Sequence, residues 1–502
     1  MNKKYLSTRG GQHGINASEG IISGLAADGG LFVPDFLDDV HLDLDALAGA
    51  DYATVAKAVF SEFLNDFSAE QIDACVAAAY QSGKFDGDCP VVLTKVGDRH
   101  FLELYHGPTC AFKDMALTIL PHLMTTSLAI QGIDRRVLIL TATSGDTGKA
   151  ALSGFSGVNG IDIVVFYPKD GVSVVQEKQM LTQEGDNTRV IGVNGNFDDT
   201  QSGVKAIFSD DAFAARLEDM GVVLSSANSI NIGRLLPQVV YYVFSYLKMV
   251  ENGEITAGDP VNFVVPTGNF GNILAGYYAS LIGVPVGKLI CASNANHILT
   301  DFFETGKYDR NRDFYKTISP SMDILISSNL ERLLFDLSGR DPETVSTLMN
   351  ALNGNGVYAV PEAFKEKAAG RFRAGYADEA QTKAAIKSVF DQSGYLIDPH
   401  TAVASRVYDD YLRDTGDTTP TIVLSTASPY KFASSVYEAI FGALPDGTDP
   451  FAVLDMLSEK TNTDIPKPLS DLKDKPNRHD IVCGKAGMID QVAAFATERT
   501  TL

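Results

Sequence analysis

The sequence predicts an α/β fold built on parallel sheet, and three observations carry that prediction. Short β-branched runs recur from Val91 onward: VVLTKV (91–96), RVLILTAT (136–143), IDIVVFYP (161–168), VNFVVPTG (261–268), VGKLICAS (286–293) and TIVLSTAS (421–428). Helical patterns such as GNILAGYYASLIG (271–283) lie between them. Most of the runs end in small or turn-forming residues, as strands that hand the chain to a crossover helix do.

Ahead of this alternation, residues 1–90 read mainly as helices and turns. The apolar residues of DYATVAKAVFSEFL (51–64) recur at three- and four-residue intervals, which predicts an amphipathic helix. Residues 301–394 are richer in charge and helix formers and read as a helical insertion between two strands. There is no internal repeat and no low-complexity run. In open parallel sheets ligands bind at the carboxyl ends of strands. The turns TSGDTG, PTGNFGN and STASP are therefore where chemistry is expected.

Composition narrows the function classes. The chain has 502 residues, 45% of them hydrophobic, enough to bury an enzyme-sized site. Its 41 basic and 63 acidic residues give a net charge of -22, which repels nucleic-acid backbones and anionic lipid surfaces. Five widely spaced cysteines without a CxxC pair argue against a disulfide framework and a thiolate metal site. The histidines form no HxxxH or HExxH spacing, so no metal is expected. The polar start MNKKYLSTRGGQHG and the lack of a long apolar run predict a soluble, intracellular protein, and the unpaired pattern of cysteines suits a reducing cytoplasm.

Five segments carry candidate chemistry. In LYHGPTCAFKDMALTIL (104–120), Lys113 follows a turn-forming HGPT among Cys110, Ala111 and Phe112. Desolvation by such neighbours lowers a lysine's proton affinity, as a lysine nucleophile requires. Taken alone, Lys113 reads more readily as a solvated residue at a helix start than as a nucleophile. In VVPTGNFGN (264–272), the backbone N–H groups from Gly268 to Asn272 are placed to receive a phosphate at a helix N-terminus, or to form an ordinary strand-to-helix turn. No GKS, GKT or GxGxxG accompanies it, so nucleotide readings and a nicotinamide dehydrogenase lose their main support.

In TATSGDTGKAAL (141–152), Thr143, Ser144 and Thr147 with the backbone at Gly145 suit a carboxylate, while Asp146 suits a helix cap. Ser229, Asn231 and Arg234, at the start of the apolar stretch 232–243, suit a second phosphate or a plain helix start. In STASPYKF (425–432), Thr426 stands where a strand ends and is placed to reach a ring nitrogen, or to form a plain turn.

Taken in order, HGPTxxFKD, TSGDTG, NSIN with GRLLPQ, PTGNFGN and STAxP resemble threonine synthase of the fold-type II pyridoxal-phosphate family. The resemblance runs from STRG and GLAADGGLFVP to STASPYKF, most of the chain. Two positions depart from the family pattern, Cys110 at an often apolar site and Ser428 in place of the histidine of STAHP. The resemblance implies two sheet-containing lobes after an N-terminal helical region: residues 1–93, a large cofactor-binding domain of 94–135 plus 236–502, and a small substrate-binding domain of 136–235.

It also implies that Lys113 carries pyridoxal 5'-phosphate as a Schiff base and is the catalytic base. Gly268, Asn269, Phe270, Gly271 and Asn272 would surround the cofactor phosphate, and Thr426 would face the pyridine nitrogen. Thr143, Ser144, Gly145, Asp146 and Thr147 would hold the substrate carboxylate, with Ser229, Asn231 and Arg234 on its phosphate. The reaction implied converts O-phospho-L-homoserine and water to L-threonine and phosphate, in a monomer or small homo-oligomer. A phospholyase or dehydratase giving 2-oxobutyrate and a silent cofactor-binding paralogue are the alternatives.

Overall fold

The β-branched runs and small-residue turns of the sequence separate into two sheets. Residues 3–143 and 145–500 are described by a computed structural model, whose strands run β1 to β15 in chain order. The larger sheet contains β3 (Val92–Val96), β4 (Arg99–Glu103), β9 (Val261–Pro266), β10 (Val286–Ser293), β13 (Phe372–Tyr376) and β14 (Thr421–Ser425), in the order β13-β10-β9-β14-β4-β3. Its neighbours pair in parallel except β3 with β4, which form an antiparallel hairpin. The smaller sheet holds β5 (Arg136–Ala142), β6 (Ile161–Pro168), β7 (Thr188–Asn194), β8 (Val222–Ser225) and β15 (Ile481–Gly484) in the order β15-β7-β6-β5-β8, all parallel. Two short antiparallel ribbons, β1 (Tyr5–Ser7) with β2 (Phe32–Pro34) and β11 (Lys307–Asp309) with β12 (Val357–Ala359), lie outside both.

Continuous apolar runs become central parallel strands because helices cover both faces. Every residue of β6 and of β9 is buried. The helix Ile232–Glu251 is buried along nearly its whole length despite Pro237 in its interior, and its middle faces the start of the helix Gly271–Leu281. Strand order then gathers the chemistry: β9, β14 and β4 are neighbours, so the turns after them, carrying Gly268, Thr426 and Lys113, open at one end of the large sheet.

Three boundaries differ from the sequence expectation. The insertion 301–394 is not wholly helical, since β13 within it forms the edge of the large sheet, pairing with β10 from Leu289↔Phe372 to Ser293↔Tyr376. Its FRAGY sequence hides the strand, because Gly375 replaces an apolar residue where a Cβ would lie 2.9 Å from Val407. The C-terminal segment does not belong to the large domain: β15 pairs with β7 of the small sheet, and Met488, Val492 and Phe495 pack into its core. The expected boundary at 93 falls inside β3. Among the described residues, no helix is long and apolar enough to cross a membrane and no group of three or more His, Cys, Asp or Glu is arranged to hold a metal ion.

Candidate active site

The site is built first from the loop that carries Lys113. Asp114 folds it back on itself, accepting from Thr109 N at 2.8 Å and from Thr109 Oγ1 at 2.6 Å. Gly107 is required there because a Cβ would stand 2.5 Å from the Asp114 carboxylate. Cys110 adopts φ 58°, a left-handed conformation that costs a non-glycine residue about 1–2 kcal/mol and needs its surroundings to hold it. The turn after β14 does so: Phe112 N donates to Thr426 O at 2.8 Å and Ser428 N to Cys110 O at 3.1 Å. Lys113 and Thr426 thereby share one backbone ladder. Phe112 and Lys113 keep part of their surface open while Ala111 and Asp114 on either side are buried.

Charge concentrates around the Lys113 amine. Its Nζ donates to Ser321 Oγ at 3.2 Å, and that hydroxyl donates to Asp146 Oδ2 at 3.1 Å. The other oxygen of Asp146 pairs with Lys431 Nζ at 2.7 Å and accepts from Gln176 Nε2 at 3.0 Å. Burial lowers the Lys113 pKa to about 8; Asp146 acts against the shift, whereas Lys431 and Arg234 add to it. Burial alone would raise the Asp146 pKa, but Lys431 and Lys113 overcome it and hold the carboxylate far below its usual range. Ser321 is fixed from behind, its N–H donating to His400 Nε2 at 3.1 Å while His400 Nδ1 bonds Asp398 at 2.6 Å.

The turn after β9 forms an anion cradle. Phe270 is left-handed at φ 63° and turns the chain into the helix Gly271–Leu281, whose first-turn N–H groups have no intrahelical acceptor. Asn272 is buried; its Oδ1 accepts from Tyr241 and Tyr242 hydroxyls at 2.6 and 2.9 Å, which fixes the amide and leaves Nδ2 without a partner. Gly268 and Asn269 are held by their carbonyls, which accept from Ser327 Oγ and from Asn329. Arg234 is buried without a carboxylate partner: Nη1 donates to Ala227 O at 2.6 Å and Nε is unpaired. Burial lowers its pKa to about 10. An unpaired buried donor is costly, so two of them around Tyr241, which bonds Asn272 and whose charge acts on Arg234, favour an anionic occupant.

The remaining predicted residues take more local positions. Thr143 Oγ1 accepts from Gly145 N and Gly148 N, which caps the helix Asp146–Phe155. Gly145 has φ 132°, and a Cβ there would strike Gln176 at 2.5 Å. Asp146 spends its carboxylate on Lys431, Gln176 and Ser321 and so presents no free oxygen to a substrate anion. Asn231 likewise spends its amide on Ile21 O and Gly233 N, fixing the start of the long helix. Ser229 and Thr147 are half-buried, and Ser144 lies outside the described residues. Sequence reasoning missed Ser321, His400 and Lys431. Lys431 stood inside STASPYKF, whereas Ser321 sits in a 3-10 turn, Pro320–Met322, of the supposed helical insertion.

An amine poised near neutrality, a glycine-lined helix start with an orphaned amide and a hydroxyl residue at the neighbouring strand end fit a pyridoxal-phosphate enzyme. Comparison with known proteins agrees: residues 95–426 match the family model for pyridoxal-phosphate dependent enzymes. Flanking it, residues 4–80 match the model of the threonine synthase N terminus and 401–493 that of its C-terminal region. The chain belongs to the threonine synthase family, with the fold-type II architecture.

Threonine synthase of Pseudomonas aeruginosa is 40% identical over 88% of this chain and 91% of its own. Human threonine synthase-like 1 is 42% identical over 84% of this chain, which spans only 58% of that relative's length. The crystal structure of pyridoxal-phosphate-bound threonine synthase from Brucella melitensis superposes with a TM-score of 0.86 at 37% identity, covering 100% of both chains.

Proposed function

We propose that the chain is a threonine synthase, converting O-phospho-L-homoserine and water into L-threonine and phosphate. The observation that carries this reading is Arg234, a buried cation with an unpaired Nε and no carboxylate partner, close enough for its charge to act on Lys113. A substrate that bears a phosphate and reacts at an amino-acid carbon satisfies both groups.

Pyridoxal phosphate, when bound, supplies a carbonyl for amines and a ring that draws electrons from bonds at the substrate's α-carbon. The helix start at Gly271 and the Asn272 Nδ2 would hold its phosphate, with Gly268, Asn269 and Phe270 shaping the approach. Thr426 would offer a neutral hydroxyl to the ring nitrogen, so proton transfers must be well placed. Lys113, as a free amine, would take the Cα proton and then one from Cβ.

Arg234 with Ser229 holds the phosphate as it leaves Cγ, where a fixed positive charge favours the departing dianion. A proton is delivered to Cγ, water adds at Cβ and a proton returns to Cα, which balances the conversion to threonine. The backbone of Gly145, with Ser144 and Thr147, holds the substrate carboxylate. Thr143 caps that turn and Asn231 anchors the arginine's helix. Asp146 acts on the Lys113 side rather than on the substrate carboxylate, because two carboxylates would repel.

The assembly proposed is a monomer or small homo-oligomer. The five unpaired cysteines accord with a reducing cytoplasm. The test is an assay of phosphate and threonine on purified protein, wild type beside Lys113→Ala. Threonine with stoichiometric phosphate from the wild type alone is the expected result. Release of 2-oxobutyrate and ammonia in its place, or equal activity in both proteins, would overturn the reading.

A further inference from the structure

Two lysines share one buried carboxylate at this site. Lys431 is fully enclosed, its ammonium set between Asp146 Oδ1 at 2.7 Å and Thr109 O at 2.9 Å. It follows β14, Thr109 lies on the loop of Lys113, and Asp146 opens the first helix of the small sheet, so one cation ties three segments together. Lys113 reaches the same carboxylate only through the Ser321 hydroxyl. Were Lys431 absent, Asp146 would have Lys113 as its nearest cation.

We propose that Lys431 is a positioning residue that occupies the Asp146 carboxylate, leaving the Lys113 amine uncommitted and able to attack a carbonyl. The inference rests on the reading of Lys113 as the cofactor lysine. The electrostatics agree, because Lys431 and Arg234 push the Lys113 proton off while Asp146 holds it on. The other charged or titratable groups facing the cluster are His400, which faces Asp146, and Asp114, Cys110 and Lys149, which face Lys431. Of these, Asp114 is already engaged by Thr109 and His400 by Asp398 and Ser321. Neither offers Asp146 a replacement for Lys431. A lysine serving only to fill space would leave the proton affinity of Lys113 unchanged.

The experiment uses full-length apoprotein and measures, against pH, both the uptake of pyridoxal phosphate by absorbance and the reductive methylation of Lys113 by peptide mass spectrometry. Lys431→Met is expected to move both midpoints to higher pH by roughly one unit or more, the usual effect of an opposite charge left close by. Asp146→Asn should move them down, and the double variant Lys431→Met/Asp146→Asn should return near wild type, as should Lys431→Arg. If Lys431→Met does not fold, the comparison of Asp146→Asn with the double variant still decides. An unmoved midpoint in Lys431→Met or in Asp146→Asn overturns the proposal, as does a double variant displaced as far as Lys431→Met. A wild type that takes up the cofactor on a lysine other than Lys113 overturns the underlying reading and this inference with it.

Discussion

Gly268 and Gly271 lie three residues apart in one turn, yet alanine at the two positions should fail in different ways. A Cβ on Gly268 would stand 2.5 Å from Ser321 O, a backbone atom that cannot rotate aside. That is about 0.8 Å inside the ~3.3 Å of even a close carbon–oxygen contact. Ser321 must therefore move, although His400 and Asp146 hold it and it carries the hydroxyl that meets Lys113. Overpacking of this kind costs about 1–3 kcal/mol, and misplacing a catalytic group by ~1 Å lowers the rate up to ~100-fold.

Gly271 differs because its nearest neighbour for a Cβ, Asn329 Nδ2, is at 3.5 Å, an ordinary contact. Gly271→Ala should leave the apoprotein's thermal midpoint unchanged and raise the concentration of pyridoxal phosphate needed for half-saturation. Gly268→Ala should lower the apoprotein midpoint by a few degrees and reduce kcat by ~10- to 100-fold even at saturating cofactor. Wild-type stability and kcat in Gly268→Ala would refute the steric argument. Equal destabilisation of both apoproteins would refute the assignment of Gly271 to the phosphate cradle.

Arg234→Met should keep the cofactor chromophore but raise KM for the phosphorylated substrate by ~10- to 100-fold, the worth of a charge-assisted hydrogen bond of about 1.5–3 kcal/mol, and product inhibition by phosphate should weaken in parallel. Burial pushes the thiols of Cys110 and Cys291 up to about 12, so both should stay unlabelled by thiol reagents in the native protein up to about pH 9, where the reactive thiolate is still scarce, and react once it is unfolded; fast native labelling of the peptide containing Cys110 would contradict the packing of that loop.

The strands and turns that hold the cofactor lysine and its phosphate were legible because each obeys a local rule. A buried parallel strand reads as a continuous apolar run, and a turn that approaches a ligand reads as glycine with small polar residues. What escaped notice depends on long-range neighbours. Ser321 looks like any serine in a polar loop until the Asn294–Ser319 and Asn294–Asp323 hydrogen bonds fold that loop over β10 and deliver it to Lys113. Asp146 read as a helix cap and Lys431 as one more letter of STASPYKF, and only their meeting across 285 positions of sequence makes them an ion pair. Asn231 and Thr143 were legible as polar residues at helix starts, but the sequence does not reveal that their own backbone already uses them.

The return of the C-terminus to the small sheet changes what that lobe is mechanically. Asp162 at the start of β6 is buried and bonded by Arg136 at 3.1 Å and Arg499 at 2.8 Å, and Arg189 stacks over Phe495 at 4.7 Å while pairing with Glu498. The helix Met488–Thr500 is thus fastened to the small sheet by charge as well as by its apolar face, and β15 covers the edge of β7 that would otherwise be open. The small lobe is therefore assembled from two separate stretches of chain. Any motion of the small sheet with the turn carrying Gly145 and Asp146 must take residues 481–500 with it, and it must break or carry the contact between Asp146 and Lys431. Among the described residues, the Asp146–Lys431 ion pair joins the first helix of the small sheet to the turn after β14, and the same carboxylate reaches the Lys113 amine through the Ser321 hydroxyl, so a shift of that helix against the turn would change the charge facing Lys113.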